Sequence, residues 1–373
     1  MQFCEKDLKE FGQVIERVLS GKNLSSNEAF DVFVNILEEK QPPVNQGAFL
    51  AALRAKGETV EEITGCWKAI IEVDTRKVHV NAGKPLVENC GTGMDGIKTF
   101  NISTAAAIVS ASLGVPMARH GARAITSAMG TVDIAEALGV DVECPVETVG
   151  KSIEKCHLGL FNGMSPEVHP GGLFRILKYI RFGSVLNIAA SLANPASPSI
   201  GVRGVYNDSL LEKIANLLAR LGYSRGIVYT GFDGKGEKSM DEISTMGVTK
   251  IVEMHNGNTE TYLIEPADIG LPLGSYDDVK PLPVLDAEVD EFLKAFTSPS
   301  TSRRVDAICA NAAPILYVYG KTPTLSKGVE MAREAIESGK ALAQLMVWVR
   351  EQNRYPEKGV KKLEKHLSRL GIK

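Results

Sequence analysis

Between Gly91 and Thr104 the chain gathers residue types suited to holding an anion. Gly91, Gly93 and Gly96 fall within six positions, and glycine lets the backbone take positive φ and approach a ligand closely. Asn101, Ser103 and Thr104 then precede the apolar run Ala105–Val109. That order sets hydroxyls and N–H groups at a helix N-terminus, where the macrodipole favours negative charge. Loop and helix end together predict a phosphate site; an ordinary tight turn with a capped helix is the plain alternative. A second polar stretch follows the apolar segment Val115–Ala118 and carries Arg119 and Arg123, two guanidinium groups able to neutralise phosphate or simply to face water. Farther on, the adjacent carboxylates Asp241 and Glu242 suit Mg2+, which takes one or two carboxylates with water and substrate phosphate; such a pair is also common on plain surface. His169, in a glycine- and proline-rich loop, suits either substrate orientation or a structural role.

These groups need elements to position them. Phe11, Val14, Ile15 and Val18 recur at helical spacing, Ser25 to Glu28 and Thr59 to Glu62 have capping-box spacing, and Gly57 separates helices. Residues 1–77 therefore predict a small all-helical domain, completed by a later helical segment near 165–185. From Val78 short apolar runs ended by glycine or proline alternate with helical stretches, the pattern of a parallel sheet covered on both faces. A helix over Asp133–Leu138, a short strand over Val140–Glu143 and a strand at Gly226–Thr230 are expected. Lys250–Met254 and Thr259–Ile264 flank His255-Asn256-Gly257-Asn258, a hairpin signal. Helices return after Val284, mainly Gly328–Ser338 and Lys340–Arg350. The fold class is α/β: residues 78–350 form a larger domain on a mainly parallel central sheet, and 351–373 a basic tail read as a solvated helix.

Composition narrows the function. A chain of 373 residues, 44% hydrophobic and 23% charged, is neither disordered nor fibrous. A net charge of -3 with a pI near 6.1 argues against nucleic acid as the main partner, since phosphate-backbone binding calls for a basic surface. The six cysteines are scattered with no Cys-x-x-Cys pair, so neither a zinc site nor a disulfide framework is indicated. Reduced thiols fit a cytoplasmic protein. The start, Met1–Asp7, lacks the basic-then-apolar order of a signal peptide, and no apolar run approaches a membrane span.

Four motifs in register give a sharper reading. Gly91-Thr92-Gly93-Met94-Asp95, Asn101-Ile102-Ser103-Thr104, Arg119-His120-Gly121-Ala122-Arg123 and Asp241-Glu242 resemble the Gly-Thr-Gly-Gly-Asp, Asn-x-Ser-Thr, Lys-His-Gly-Asn-Arg and Asp-Glu motifs of the anthranilate phosphoribosyltransferase family, to which the pyrimidine nucleoside phosphorylases are related. The likeness extends to Asn311-Ala312-Ala313 and Gly328–Lys340. It implies the nucleoside phosphorylase/phosphoribosyltransferase type of fold, a small helical domain joined to a larger α/β domain, usually as a homodimer. It implies transfer of a phosphoribosyl group from phosphoribosyl pyrophosphate (PRPP) to anthranilate or a related aromatic nitrogen acceptor, a step of tryptophan biosynthesis. On this resemblance PRPP would meet Gly91, Gly93, Asp95, Thr99, Asn101, Ser103, Thr104, Arg119, His120, Gly121 and Arg123. Mg2+ would be held by Ser103, Asp241 and Glu242, and no side chain is assigned as nucleophile or general base. Departures concentrate on the acceptor side: Ala122 stands for the family's Asn and Gly183 for its carboxylate-binding Arg, while Met94 replaces a loop glycine and Arg119 a lysine. His169 and Arg181 are the expected acceptor contacts, with Arg175 and Lys178 behind Arg181. A non-catalytic or nucleic-acid-binding paralogue, drawn from Ala122, Gly183 and the basic tail, is the competing expectation.

Overall fold

The structure, a computed structural model, describes residues 3–93, 96–124, 129–180 and 182–372. The chain runs through α1 (Glu5–Leu19), α2 (Ser26–Leu37), α3 (Pro43–Lys56) and α4 (Val60–Val73) before its first strand, β1 (Val87–Gly91). There follow α5 (Ile102–Ser112), β2 (Met117–Gly121), α6 (Thr131–Ala137), α7 (Val146–Cys156) and β3 (Leu158–Asn162). Next come α8 (Gly172–Tyr179), α9 (Val185–Leu192), β4 (Ile200–Gly204), α10 (Leu211–Arg220) and β5 (Arg225–Phe232). A short β6 (Ser239–Met240) leads to the hairpin of β7 (Thr249–His255) and β8 (Asn258–Ile264). The rest is helical: α11 (Tyr276–Val279), α12 (Leu285–Thr297), α13 (Val305–Val318), α14 (Leu325–Glu337), α15 (Lys340–Glu351) and α16 (Pro356–Arg369). The chain divides into two compact units, Met1–Lys77 with Gly163–Ser197, and Val78–Asn162 with Pro198–Lys373.

The first unit is helical. Both capping boxes form: Ser25 and Thr59 accept from the N–H groups of Glu28 and Glu62, and each glutamate reaches back to its cap. Glu62 is fully buried because it also takes bonds from Leu24 N (2.9 Å) and Lys56 Nζ (2.9 Å). Phe11, Phe33 and Phe49 pack with ring centroids 5.8 and 5.6 Å apart. α4 crosses α2 at Gly65, where a Cβ would stand 2.4 Å from Ser26 O, so only glycine permits the close approach. α9 is tied to α4 by Trp67 Nε1 donating to Leu192 O at 2.9 Å.

The second unit is built on one sheet of order β3-β2-β1-β4-β5-β7-β8, with β6 paired to β5. β1 to β5 pair in parallel in the order β3-β2-β1-β4-β5; β7 and β8 continue the sheet antiparallel. The hairpin forms at Asn256 and Gly257, both at positive φ (49° and 83°), the turn geometry that Asn-Gly favours. α5 is apolar all the way round, and Thr104 through Ala111 are buried, as a helix enclosed on every side requires; it packs on α13 and α15.

Two sequence expectations need correction here. Val140–Glu143 is a turn rather than a strand: Asp141 N donates to Gln352 O (3.0 Å) and Asp141 Oδ1 accepts from Glu143 N (3.2 Å), which closes the chain on itself. The basic tail is not a solvated appendage either. Leu363 and Leu367 of α16 are buried in the core of this unit, while Arg354 grips Asp141 (2.7 and 3.0 Å) and Arg369 pairs with Asp286 (3.0 Å). Nearby, Gln352 caps the outer edge of β3 by accepting from Leu160 N and donating to Leu160 O, each at 2.8 Å. A side-chain amide thus takes the place of a further strand, which protects an edge that would otherwise carry unpaired backbone groups.

Candidate active site

From β1 the chain winds outward through β2 and β3, then returns to the other side of β1 for β4 and β5. The crevice at the carboxyl ends of β1 and β4 is therefore the topological switch point, the place where ligands bind in open parallel sheets. Here each strand ends in glycine for a reason that only the fold reveals. Gly91 and Gly204 are register partners, and the segment carrying Asp241 and Glu242 crosses directly over them. A Cβ on Gly91 would stand 2.1 Å from Asp241 Oδ2, one on Gly204 1.7 Å from Asp241 O, and one on Gly231 of β5 2.3 Å from Glu242 O. Three strand-end glycines seat the acidic pair. Asp241 Oδ2 then accepts from Gly93 N at 2.7 Å, and Gly93 holds φ at +65° to present it. From behind, Asn311 of α13 accepts from Ile243 N (2.8 Å) and donates to Ile243 O (3.2 Å), clamping the backbone next to Glu242.

Much of the glycine loop's backbone is engaged within the protein. Thr92 N donates to Gly204 O (3.1 Å), and Gly96 N and Ile97 N both donate to Ser239 O (3.0 and 3.2 Å). The loop is thereby fastened along the Ser239–Asp241 segment. Among the described residues of this stretch, the element left to face an anion is the first turn of α5. Asn101 occupies its N-cap without a side-chain bond to the helix. Ser103, beyond it, is partly exposed. Phe100 anchors the approach to this helix, with Phe100 N bonded to Val279 O at 2.9 Å and the Arg304 guanidinium 4.3 Å over its ring. Arg304 itself is buried and paired with Glu288.

β2 runs three residues farther than the apolar pattern suggested, to Gly121, so Arg119 and His120 lie in the strand and not in a following loop. Register with Leu160 and Phe161 of β3 fixes them there, and both side chains are buried. Arg119 donates through Nε to Asn89 Oδ1 (2.9 Å), through Nη1 to Thr104 Oγ1 (2.7 Å) and through Nη2 to Ser103 Oγ (3.1 Å). Burial lowers its pKa to about 10, so it stays a cation at neutral pH. Gly121 closes β2, where a Cβ would stand 2.8 Å from Thr131 Cγ2. Arg123 is held by three carboxylates, Asp133 (3.2 Å), Glu136 (2.8 Å) and Glu143 (3.2 Å). These hydrogen bonds, that to Glu136 foremost, raise its pKa. Its charge is thus balanced inside the protein instead of standing ready for phosphate. Thr99 lies in the loop before α5; Asp95 and Arg181 lie outside the described residues.

The acceptor candidates of the helical unit have other partners. His169 is 1% exposed, with its Nδ1 2.7 Å from Asp74 O and 3.3 Å from Thr75 Oγ1. It fastens the loop before α8 to the end of α4. Asp74 in turn accepts from the N–H groups of Gly171 and Leu173, while burial pushes its carboxyl above the usual range. Arg175 donates to Gln46 Oε1 (3.3 Å) and Ile36 O (3.2 Å) and pairs with Glu39. Lys178 is exposed beside the Tyr179 ring.

The acidic pair has the chemistry of a Mg2+ site that a substrate completes. Asp241 and Glu242 offer hard oxygen donors, 9% and 5% exposed, at the switch point. No group of three or more His, Cys, Asp or Glu forms a metal cage among the described residues. Mg2+ suits such a site, since it keeps waters and takes phosphate oxygens beside one or two carboxylates. Gly204 and Gly231 escaped the sequence reading of the site, and Asn311 entered it only through the family likeness, with no role assigned.

Comparison with known proteins agrees with this geometry. The family profile described as glycosyl transferase family, a/b domain, matches residues 83–342, and that of the family's helical bundle domain matches residues 12–73. The anthranilate phosphoribosyltransferase of Acetivibrio thermocellus is 36% identical over 346 residues, covering 92% of this chain and 97% of that enzyme. The crystal structure of the Thermus thermophilus anthranilate phosphoribosyltransferase superposes with a TM-score of 0.81 at 32% identity, over 91% of this chain and 98% of that one. The Saccharomyces cerevisiae enzyme in complex with PRPP and Mg shares the fold, with a TM-score of 0.80 at 24% identity over 94% and 98% of the two chains. With relatives this similar over nearly its whole length, and with both domain profiles matched in order, the chain belongs to the anthranilate phosphoribosyltransferase family.

Proposed function

We propose that this protein transfers the phosphoribosyl group of PRPP to anthranilate and releases pyrophosphate, a step of tryptophan biosynthesis. The observation that carries the reading is the seating of Asp241 and Glu242 by three strand-end glycines at the switch point. The relatives named above support the choice of donor and acceptor. In the reaction the amine nitrogen's electron pair forms a bond to ribose C1 as the bond from C1 to the pyrophosphate oxygen breaks. The bonding electrons leave with pyrophosphate, and the amine gives up one proton to solvent. Positive charge builds on the sugar and negative charge on the leaving group.

The chain's own residues act mainly on that leaving group. The N-terminus of α5, with Asn101 and Ser103, faces the anion with its dipole and a hydroxyl. Gly91, Gly93, Thr99, His120 and Gly121 line the donor side in this reading, Arg119 and Thr104 stand behind Ser103, and Asp95, outside the described residues, is assigned to PRPP by its motif alone. Asp241, Glu242 and Ser103 would hold Mg2+, which neutralises charge developing on the pyrophosphate oxygens. Arg123 and His169, engaged as described, are not given substrate contacts. Arg354 and Arg369 of the basic tail are paired with Asp141 and Asp286, which counts against a nucleic-acid reading.

We further propose a homodimer, supported by large apolar side chains exposed on the helical unit, Val44 at 75% and Tyr179 at 74% among them. A cytoplasmic setting is proposed from the six cysteines, all of which are free thiols. No helix is long and apolar enough to cross a membrane among the described residues. Incubation with PRPP, Mg2+ and anthranilate, with other aromatic amines as comparators, tests the function. Pyrophosphate release fastest with anthranilate is the expected result; release with none of the amines overturns the reading.

A further inference from the structure

We infer that Arg119 is a positioning residue: aimed by Asn89 and Thr104, it fixes the hydroxyl of Ser103 in the donor site. The inference rests on the donor-site reading above. It starts from a buried cation whose three nitrogens all have named partners. Nε is fixed by Asn89 Oδ1 at 2.9 Å and Nη1 by Thr104 Oγ1 at 2.7 Å, and these two bonds set the plane of the guanidinium. Nη2 is then directed at Ser103 Oγ, 3.1 Å away. Arg119 is 2% exposed and Thr104 fully buried, whereas Ser103 is partly exposed. Only the last member of the chain of contacts reaches the crevice.

Asn89 works on Ser103 from a second side. Its Nδ2 donates to Ser103 O at 2.8 Å while its Oδ1 holds Arg119. Ser103 is therefore held at both its carbonyl and its hydroxyl by groups that trace back to one amide on β1. A serine hydroxyl otherwise rotates to suit its surroundings. Accepting a charge-assisted bond from Arg119 fixes the oxygen and turns its O–H proton away from the cation, toward a ligand. Such pre-organisation strengthens binding without any new contact to the ligand. The planar fork of arginine is what allows three acceptors to be met at once, and a lysine ammonium has no equivalent geometry.

Thr104→Val provides the test, because it removes an acceptor that does not reach the crevice and keeps the side chain's shape. PRPP binding, measured by calorimetry with Mg2+ and no acceptor, is expected to weaken about tenfold. Thr104→Ser, which keeps the hydroxyl and loses only the methyl, is expected to recover most of that loss. Should Thr104→Val not fold, Arg119→Lys and Ser103→Ala serve: each alone weakens PRPP binding, and together they are no worse than Ser103→Ala. Wild-type affinity in Thr104→Val overturns the inference. So does equal weakening in Thr104→Ser, which would assign the effect to packing, or multiplying effects of Arg119→Lys and Ser103→Ala, which would place Arg119 directly on the ligand. Failure of the donor-site reading looks different, since the wild-type protein would then bind no PRPP at all.

Discussion

Asp241→Asn combined with Glu242→Gln is expected to lower kcat/KM for PRPP by about a thousandfold, the equivalent of the several kcal/mol that a bound metal supplies to a charged transition state. Saturation by Mg2+ should disappear with it. The fold should survive. Asn at 241 still offers an oxygen to Gly93 N, which Asp241 now bonds at 2.7 Å, and removing two adjacent buried negative charges relieves their repulsion. Circular dichroism and a thermal melt close to wild type, beside collapsed activity, would separate chemistry from folding. Retained Mg2+ dependence in the double variant would remove the acidic pair from the metal site.

Gly204→Ala is expected to cost about a hundredfold in kcat although residue 204 carries no functional group. Its new Cβ would lie 1.7 Å from Asp241 O and 2.4 Å from Asp241 C. Backbone cannot yield as the end of a flexible side chain can, so the Asp241–Glu242 segment must shift by on the order of 1 Å, a displacement of the size that costs about 10²-fold in rate. Strain of about 1–3 kcal/mol should appear as lower stability in urea. Gly12→Ala, where a Cβ meets nothing within 4 Å, is the matched control and should keep full activity. A fully active Gly204→Ala protein would mean that the acidic pair does not depend on its seat.

The parts of this fold set by near neighbours in the chain were readable in advance. The capping boxes at Ser25 and Thr59 and the Asn256-Gly257 hairpin formed where their spacing put them, because each is closed by bonds within a few residues. The glycine loop and the start of α5 were legible for the same reason. What escaped depends on residues far apart in sequence. Arg119 looked like a loop cation, and only pairing with β3 and cover from α5 make it a buried clamp. Val140–Glu143 carries strand-forming residues, yet a backbone bond to Gln352 turns it. Gly204 and Gly231 look like ordinary strand ends until Asp241 and Glu242 cross them, and the amide of Asn311 gains meaning only from the backbone of Ile243. His169 and Arg175 were plausible acceptor contacts by type, and the partners they find within the helical unit, Asp74 O for the buried His169 and Gln46, Ile36 O and Glu39 for Arg175, give them other work.

The site's central claim is that the donor's metal sits on Asp241 and Glu242 at the carboxyl ends of β1 and β4. An anomalous difference map from crystals grown with PRPP and Mn2+ in place of Mg2+ tests it most directly. The predicted result is a peak against those two carboxylates, with pyrophosphate density at the first turn of α5 near Ser103. A peak elsewhere in the protein, or PRPP bound away from that turn, would contradict the account.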